Sequence, residues 1–250
     1  MIATIEETKA FSLDGETAAL PLGLPAVDRA LHGGLAFGAL HELAPALPAQ
    51  VGSAFGFAVA VAALAAGEDK PVLLIQTDFA GFEAGSPYGL GLDLLGLSMD
   101  RLLVLRVPRP LDVLWAFEEA LKSHALAAVL AELPGNGEAA DLTATRRLSL
   151  AARTGGGLGL LLRHSPSLLP TAATTRWQIA GAPSAPDRFG GLGRTAFDLC
   201  LNRNRRGRCG RWIVCWDHHA RTFVPQALPV GLAAAARDRS DDARPLARAG

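Results

Sequence analysis

"HELAPALPAQVGSAFGFAVAVAALAA", residues His41 to Ala66, passes from an apolar strand through a proline-punctuated loop into an alanine-rich helix. Strand, loop and helix in that order are how a nucleotide-binding domain turns backbone amides and a positive helix end toward phosphate. The full signature, G-x-x-x-x-G-K-[ST], adds a lysine that reaches the outer phosphates and a hydroxyl that holds magnesium. Here Gly52 and Ser53 keep a glycine followed by a hydroxyl, but Ala54 and Phe55 stand where a charge and a second hydroxyl belong. No lysine or arginine occurs between Arg29 and Lys70. The charge of a bound triphosphate would go uncompensated, so Gly52, Ser53 and Ala54 are read as a degenerate phosphate loop that does not hold nucleotide.

Working outward, the 250 residues are half apolar, enough to bury one sizeable core. The apolar run Phe55 to Ala66 falls short of the ~20 residues a membrane-crossing helix needs and reads as a buried helix. The amino-terminal "MIATIEETKAFSLDG" is acidic early and has no basic region leading into an apolar stretch. No secretory signal is therefore read, no membrane association is expected, and the expected location is cytoplasmic. Cys200, Cys209 and Cys215 are odd in number and carry no Cys-x2-4-Cys spacing, so they read as buried thiols in a strand pair rather than a disulfide set or zinc site. The formal net charge of +0 hides an asymmetry: residues 1–100 hold 3 Lys+Arg against 12 Asp+Glu, and the remainder 21 against 12. A basic face meeting phosphate or an acidic protein is one reading of that polarity, and a mixed solvated surface is the other.

Along the chain, Pro25 opens a short helix that Gly33-Gly34 closes, and a strand follows from Ala39 to Leu43. Gly52-Ser53 precede the apolar helix, with Ser53 placed to cap its first amides. "PVLLIQ", "RLLVLR", "LAAVLAE" and "LGLLLRH" are continuous apolar runs of the kind that form parallel strands covered on both faces. Between the second and third, "RPLDVLWAFEEALKSH" predicts a helix started by Pro110, with Leu114, Phe117 and Leu121 on one face and Glu118 and Lys122 four apart outside it. A further helix is expected from Ala139 to about Thr154. This alternation implies an α/β fold, a mostly parallel sheet with helices on both faces. From Thr174 onward "TTRWQIA", "AFDLCLN", "RWIVCWD" and "RTFV" read as an antiparallel extension. Trp212 and Trp216, two apart in strand period, share a face and read as core, as do Trp115 and Trp177.

The sequence "GLPAVDRALHGGLAFGALHEL" resembles the element that leads into the RecA/RadA core, matching at Leu24, Val27, Asp28, Ala30, Leu31, Gly33, Gly34, Leu35, Gly38 and Glu42. "YGLGLDLLGLSMDRLLVLR", Tyr88 to Arg106, is similar to the corresponding RecA segment. With its lysine missing, the stretch Leu20 to Val224 most resembles the ImuA family, RecA-like proteins of bacterial mutagenesis cassettes. The resemblance implies a RecA-like P-loop NTPase core with a degenerate phosphate loop over residues 20–230, after a lead-in over 1–19. Residues 231–250, small and charged with few leucines, are too poor in apolar side chains to close a core and read as a disordered tail. The resemblance also implies an SOS-induced, non-catalytic accessory factor of error-prone translesion DNA synthesis. Its implied partners are an inactive Y-family polymerase relative (ImuB-like) and an error-prone replicative-type DNA polymerase, with RecA and a weak DNA contact as further ones, and no cofactor or metal.

On the same resemblance, Asp78 falls where RecA ATPases keep the carboxylate that activates water, and Glu132 falls near the magnesium-side acid. Both read as relics here, and a strand-end cap is the structural alternative for Asp78. Two other functions compete: a DNA-dependent ATPase of recombinase type, and a SulA-like inhibitor of cell division. Independently of family, "NRNRRGRCGR" brings Arg203, Arg205, Arg206, Arg208 and Arg211 to the connection of an expected hairpin between Phe197–Leu201 and Arg211–Trp216. That cluster reads either as a DNA or partner contact or as a solubilising turn. The tail reads as inert, with a docking peptide as the alternative.

Overall fold

The structure, a computed structural model, describes residues 18–67, 70–135, 139–186, 191 and 193–226. The tail at 231–250 and the lead-in up to residue 17 lie outside the described residues. The chain begins with β1 (Ala19–Leu20), α1 (Pro25–Ala30), β2 (Leu35–Ala36) and β3 (Ala39–Pro45). After them come α2 (Val51–Ala66), β4 (Val72–Thr77), α3 (Asp78–Ala84), α4 (Gly89–Leu94), β5 (Leu102–Val107) and α5 (Pro110–Leu121). The remaining elements are β6 (Ala128–Leu133), α6 (Leu142–Gly155), β7 (Leu158–Arg163), β8 (Thr175–Gly181), β9 (Ala196–Asn204), β10 (Gly210–Asp217) and β11 (Thr222–Pro225).

Among these residues the main sheet runs β11-β10-β9-β8-β3-β7-β6-β4-β5. From β8 to β5 the pairings are parallel, and from β8 to β11 they are antiparallel. The expected doubly covered parallel sheet with an antiparallel extension is therefore what the chain forms. β1 and β2 make a separate antiparallel pair. There Gly34, at φ +136°, lies so close to the Leu20 carbonyl that a side chain would overlap it, which is why the turn after α1 needs glycine.

One face of the sheet packs on α2 and the other on α5 and α6. Leu43, Leu74, Leu130, Leu160, Leu162, Trp177 and Ile179 join α2 in one core cluster. Leu40, Ile75, Val129, Ala131, Leu133 and Leu161 join α5 and α6 in the other. The α2 helix and the 3-10 turn before it (Pro48–Ala66), 19 residues, are long and apolar enough to cross a membrane by length and composition. Their apolarity is used inside the protein instead. The helix is clamped between the sheet and the segment carrying α4, where Leu95 and Phe197 lie against Gly56, and Trp216 and Ala63 lie against Gly96.

Three expectations change. The "RLLVLR" strand, β5, is the sheet edge rather than a covered strand: Leu103 is 53% exposed, Val104 43% and Leu105 39%. Trp115 is 66% exposed on the outer face of α5, while Val113, Leu114, Phe117 and Leu121 face the sheet. The helix expected from Ala139 begins at Leu142, because Asp141 caps it by accepting from the Ala144 amide (2.7 Å). Trp177, Trp212 and Trp216 do pack with the core cluster of α2, and the Trp216 indole donates to the Leu94 carbonyl.

His41 on β3 is fully buried. Its Nδ1 pairs with Thr175 Oγ1 (2.7 Å) and its Nε2 with the Ala36 carbonyl (3.0 Å), while the Trp177 indole donates to the same Thr175 oxygen. The carbonyl can only accept, so Nε2 carries the proton and the Thr175 hydroxyl donates to Nδ1 of a neutral ring. Desolvation lowers its pKa from 6.5 to about 4, a little restrained by the Ala36 bond and helped by the Arg206 charge. As pH falls below 6.5 the unfolded chain takes up a proton that the folded chain refuses, so stability declines until about pH 4, by about 3 kcal/mol. Urea unfolding from pH 7 to pH 4 should show that decline, and His41→Gln, which lacks the titration, should flatten it by this amount.

Candidate functional site

In an open parallel sheet the ligand crevice lies beyond the carboxyl ends of the strands. Here that edge is formed by Thr77, Leu133, Arg163, Pro45 and Gly181 at the ends of β4, β6, β7, β3 and β8. The connection from β3 to α2 should supply the anion cradle, and its backbone is poorly suited to do so. Pro45 and Pro48 have no N–H, the Ala46 amide donates to Ile179 O (2.8 Å), and the Gln50 amide closes a turn on Leu47 O (2.8 Å).

The expected placement of Gly52, Ser53 and Ala54 in this loop is corrected. Pro48 launches a 3-10 turn, Pro48–Gln50, that runs straight into the helix at Val51. Gly52 and Ser53 are thus the second and third helical residues, and Ala54 is fully buried. Ser53 does not cap the helix, since Gln50 holds the N-cap position without a side-chain hydrogen bond. The Ser53 hydroxyl instead lies against Gly181 of β8, 3.1 Å from where a β-carbon there would sit.

Glu132 does sit at the end of β6, on the α2 face, since Ala128 and Leu130, of the same strand parity, pack in that cluster. Its carboxylate is already engaged: Gln76 Nε2 donates to one oxygen (2.5 Å) and His164 Nε2 pairs with the other (2.8 Å). Gln76 Oε1 is buried without a partner among the described residues. Asp78 is exposed in the first turn of α3, and the cap there is Thr77, whose hydroxyl accepts from the Ala80 amide (3.1 Å). Arg106, two strands out from Glu132, turns its guanidinium to Ser86 Oγ (2.7 Å) and packs on Gly81. Among the described residues no three His, Cys, Asp or Glu side chains group closely enough to hold a metal ion.

The strongest charge arrangement lies on the opposite face of the same edge and was missed from the sequence. Glu42 of β3, 1% exposed, pairs with fully buried Arg163 of β7 and with Arg176 of β8 (3.1 Å). Arg163 also donates to the Ala140 carbonyl (2.7 Å), and Arg176 to the carbonyls of Ser167 (3.1 Å) and Leu169 (2.7 Å). The signal was available, because an acid inside the all-buried run of β3 needs a cation beside it. Other residues of the leading element are scaffolding too: Asp28 accepts from the Leu22 (2.8 Å) and Leu24 (3.0 Å) amides at the start of α1.

The hairpin of β9 and β10 forms as expected, with Arg211 opposite Cys200. Its arginines are not uniformly offered to solvent. Arg211 makes a two-pronged ion pair with Asp198 (2.8 and 2.5 Å), which holds its pKa up and removes it from the free set. Arg206 has a buried Nη1 without a partner among the described residues. Arg205 donates to Thr171 O (3.2 Å). Arg203 and Arg208 are exposed. The connection itself is pressed on α1, where Asn204 donates to the Ala30 carbonyl (2.8 Å) and Gly207 leaves no room for a β-carbon beside it. Of the thiols, Cys215 is buried, which raises its pKa, Cys200 is half-buried, and Cys209 is exposed in the connection, against the expectation of burial.

The chain is 37% identical to Protein ImuA of Caulobacter vibrioides over 131 residues, in each of two strains, an alignment that covers 48% of this chain and 52% of the relative. The chain thus spans about half the length of the curated relatives it matches. A crystal structure of the RadB recombinase superposes with a TM-score of 0.55 at 15% identity, covering 82% of this chain and 98% of that one. The fold is therefore RecA-like, as the leading element implied, and the likeness to ImuA read from the sequence is met in curated relatives. No family model matches the chain.

Removing the Glu42 carboxylate would take away the acid that two guanidinium groups share, one of them fully buried. Glu42→Ala should cost about 3–5 kcal/mol in urea unfolding, and adding Arg163→Met should recover part of that loss. An additive double variant would show that the two side chains are not coupled.

Proposed function

We propose that this chain, with its RecA-like core and its likeness to ImuA, is a non-catalytic accessory protein of error-prone translesion DNA synthesis. In this reading it works after DNA damage in the cytoplasm, with an inactive Y-family polymerase relative and an error-prone replicative-type polymerase, and RecA is a further contact. The observation that carries the non-catalytic part is the β3–α2 connection. Two prolines and two internally bonded amides leave little backbone to cradle an anion, and the connection and first helical turn contain no basic residue. The engaged carboxylate of Glu132 supports the same reading, since a ligand that used it would have to displace Gln76 or His164.

A recombinase-type ATPase is the competing reading. It is favoured by one observation, that Asp78 and Glu132 stand at the ends of neighbouring strands where such an enzyme would keep its acids. Two measurements separate them. Calorimetric titration with magnesium ATP should give no saturable heat, whereas tight binding would favour the enzyme. In cells, deleting the gene should lower ultraviolet-induced mutation frequency without slowing undamaged growth. Glu132→Gln, made in a chain shown to remain folded, should restore the parental frequency. Loss of mutagenesis in that folded variant would mean the acid does chemistry.

A further inference from the structure

Several exposed arginines on this protein have an acid beside them. Arg109 pairs with Asp112 (2.8 Å), Arg147 with Glu118 (2.5 Å), Arg194 with Asp217 (2.7 Å) and Arg211 with Asp198 (2.5 Å). Others have none among the described residues, and four of these lie in one region of the fold. Arg203 and Arg205, at the end of β9, and Arg146 and Arg153, on α6, make no ion pair among the described residues.

The fold brings these four to one surface. Arg203 is opposite Arg176 in the β8–β9 register, on the sheet face that α6 covers. Arg205 is fixed where β9 leaves the sheet, its amide on Thr174 O (2.9 Å) and its guanidinium on Thr171 O. Arg146 and Arg153 are seven residues apart on α6, which puts them on nearly the same helix face and about 10 Å apart along it. The α6 sequence, LTATRRLSLAARTG, contains no acid to offset them. Arg205 feels its neighbours: burial lowers its pKa, and so do the charges of Arg203, Arg146 and Arg153.

Holding several like charges together without counter-charges opposes folding, and nothing within the described chain offsets it. The support beneath them is rigid, since Asn204 and Gly207 lock the connection onto α1 and Asp141 caps α6. Guanidinium groups spaced along a helix and an adjoining strand, with no carboxylates between them, match a repeating monoanion rather than a mixed protein surface. Leu150, 57% exposed on α6 between Arg146 and Arg153, offers an apolar spot that a sugar can cover.

We propose that Arg146 and Arg153 of α6, together with Arg203 of β9 and Arg205 just beyond it, form a binding surface for the phosphate backbone of DNA. The Arg153 end of this surface points toward the amino-terminal edge of the parallel strands, where Gly38 bonds Gly156 and Gly157 just beyond the end of α6. The surface differs from the cluster expected from the sequence, because Arg211 is taken up by Asp198 and α6 supplies half of the site.

The test is fluorescence anisotropy of labelled single-stranded and duplex oligonucleotides with the full chain across a salt series. The R146E/R153E/R203E variant should lose tenfold or more in affinity, and its salt slope should shrink by about 2 to 3, close to one unit per lost phosphate contact. The R146K/R153K/R203K variant should keep most of the binding, and R109A should match the parent. Melting curves equal to the parent's qualify each variant as folded. Unchanged DNA affinity in the folded glutamate variant overturns the proposal. So does a parent chain that fails to bind either oligonucleotide at low salt, or one that binds poly-glutamate in their place. Because mutagenesis in cells is a separate readout, failure here leaves the accessory reading to be judged on its own test.

Discussion

One carboxylate organises the centre of this sheet. Glu42 is buried in β3 and draws in Arg163 from β7 on one side and Arg176 from β8 on the other. A charge in that position is costly unless it is paired and hydrogen-bonded, so the three strands must meet in one register for the structure to exist. Arg176 carries the constraint further by holding the carbonyls of Ser167 and Leu169, which fixes the segment returning from β7 to β8. The junction between the parallel and antiparallel parts of the sheet is thus set by an ion-pair network, while the layers above and below are set by apolar packing.

That division explains why the RecA-like fold can persist beside a phosphate connection so poorly equipped for phosphate. The residues that match the leading element are occupied with structure: Asp28 holds the Leu22 and Leu24 amides at the start of α1, Gly34 makes room for the Leu20 carbonyl, and Glu42 anchors the sheet. None of them needs a nucleotide in order to be useful. α2 is likewise held by contacts on both sides, with its first turn continuing from the 3-10 turn at Pro48. Loss of a lysine at such a position alters the electrostatics of the crevice without removing a core contact.

Much of the architecture was legible in the sequence, because apolar periodicity and proline or glycine punctuation report local structure directly. The helix opening at Pro110, the hairpin of β9 and β10 and the shared face of Trp212 and Trp216 all follow from spacing alone. What spacing does not report is strand order, so the apolar run of β5 looked like a covered strand although it ends the sheet. Trp115 was misjudged despite an available signal, since it shares a helix face with Leu111, Glu118 and Lys122, a charged side. At the site, the residue types of Glu132 and the arginines were visible. Their partners Gln76, His164 and Asp198 depend on contacts between distant segments, which no single window contains.

The open margin at β5 has a consequence for how the molecule behaves in company. Among the described residues no strand pairs with the outer side of β5, and a row of amides and carbonyls left in that way, with apolar side chains on both faces, is a template for an extended chain. Charge along β5 is limited to Arg106, and the prolines that discourage such pairing, Pro108 and Pro110, come only after it ends. An extended segment laid along this border would find backbone donors and acceptors already spaced to receive it.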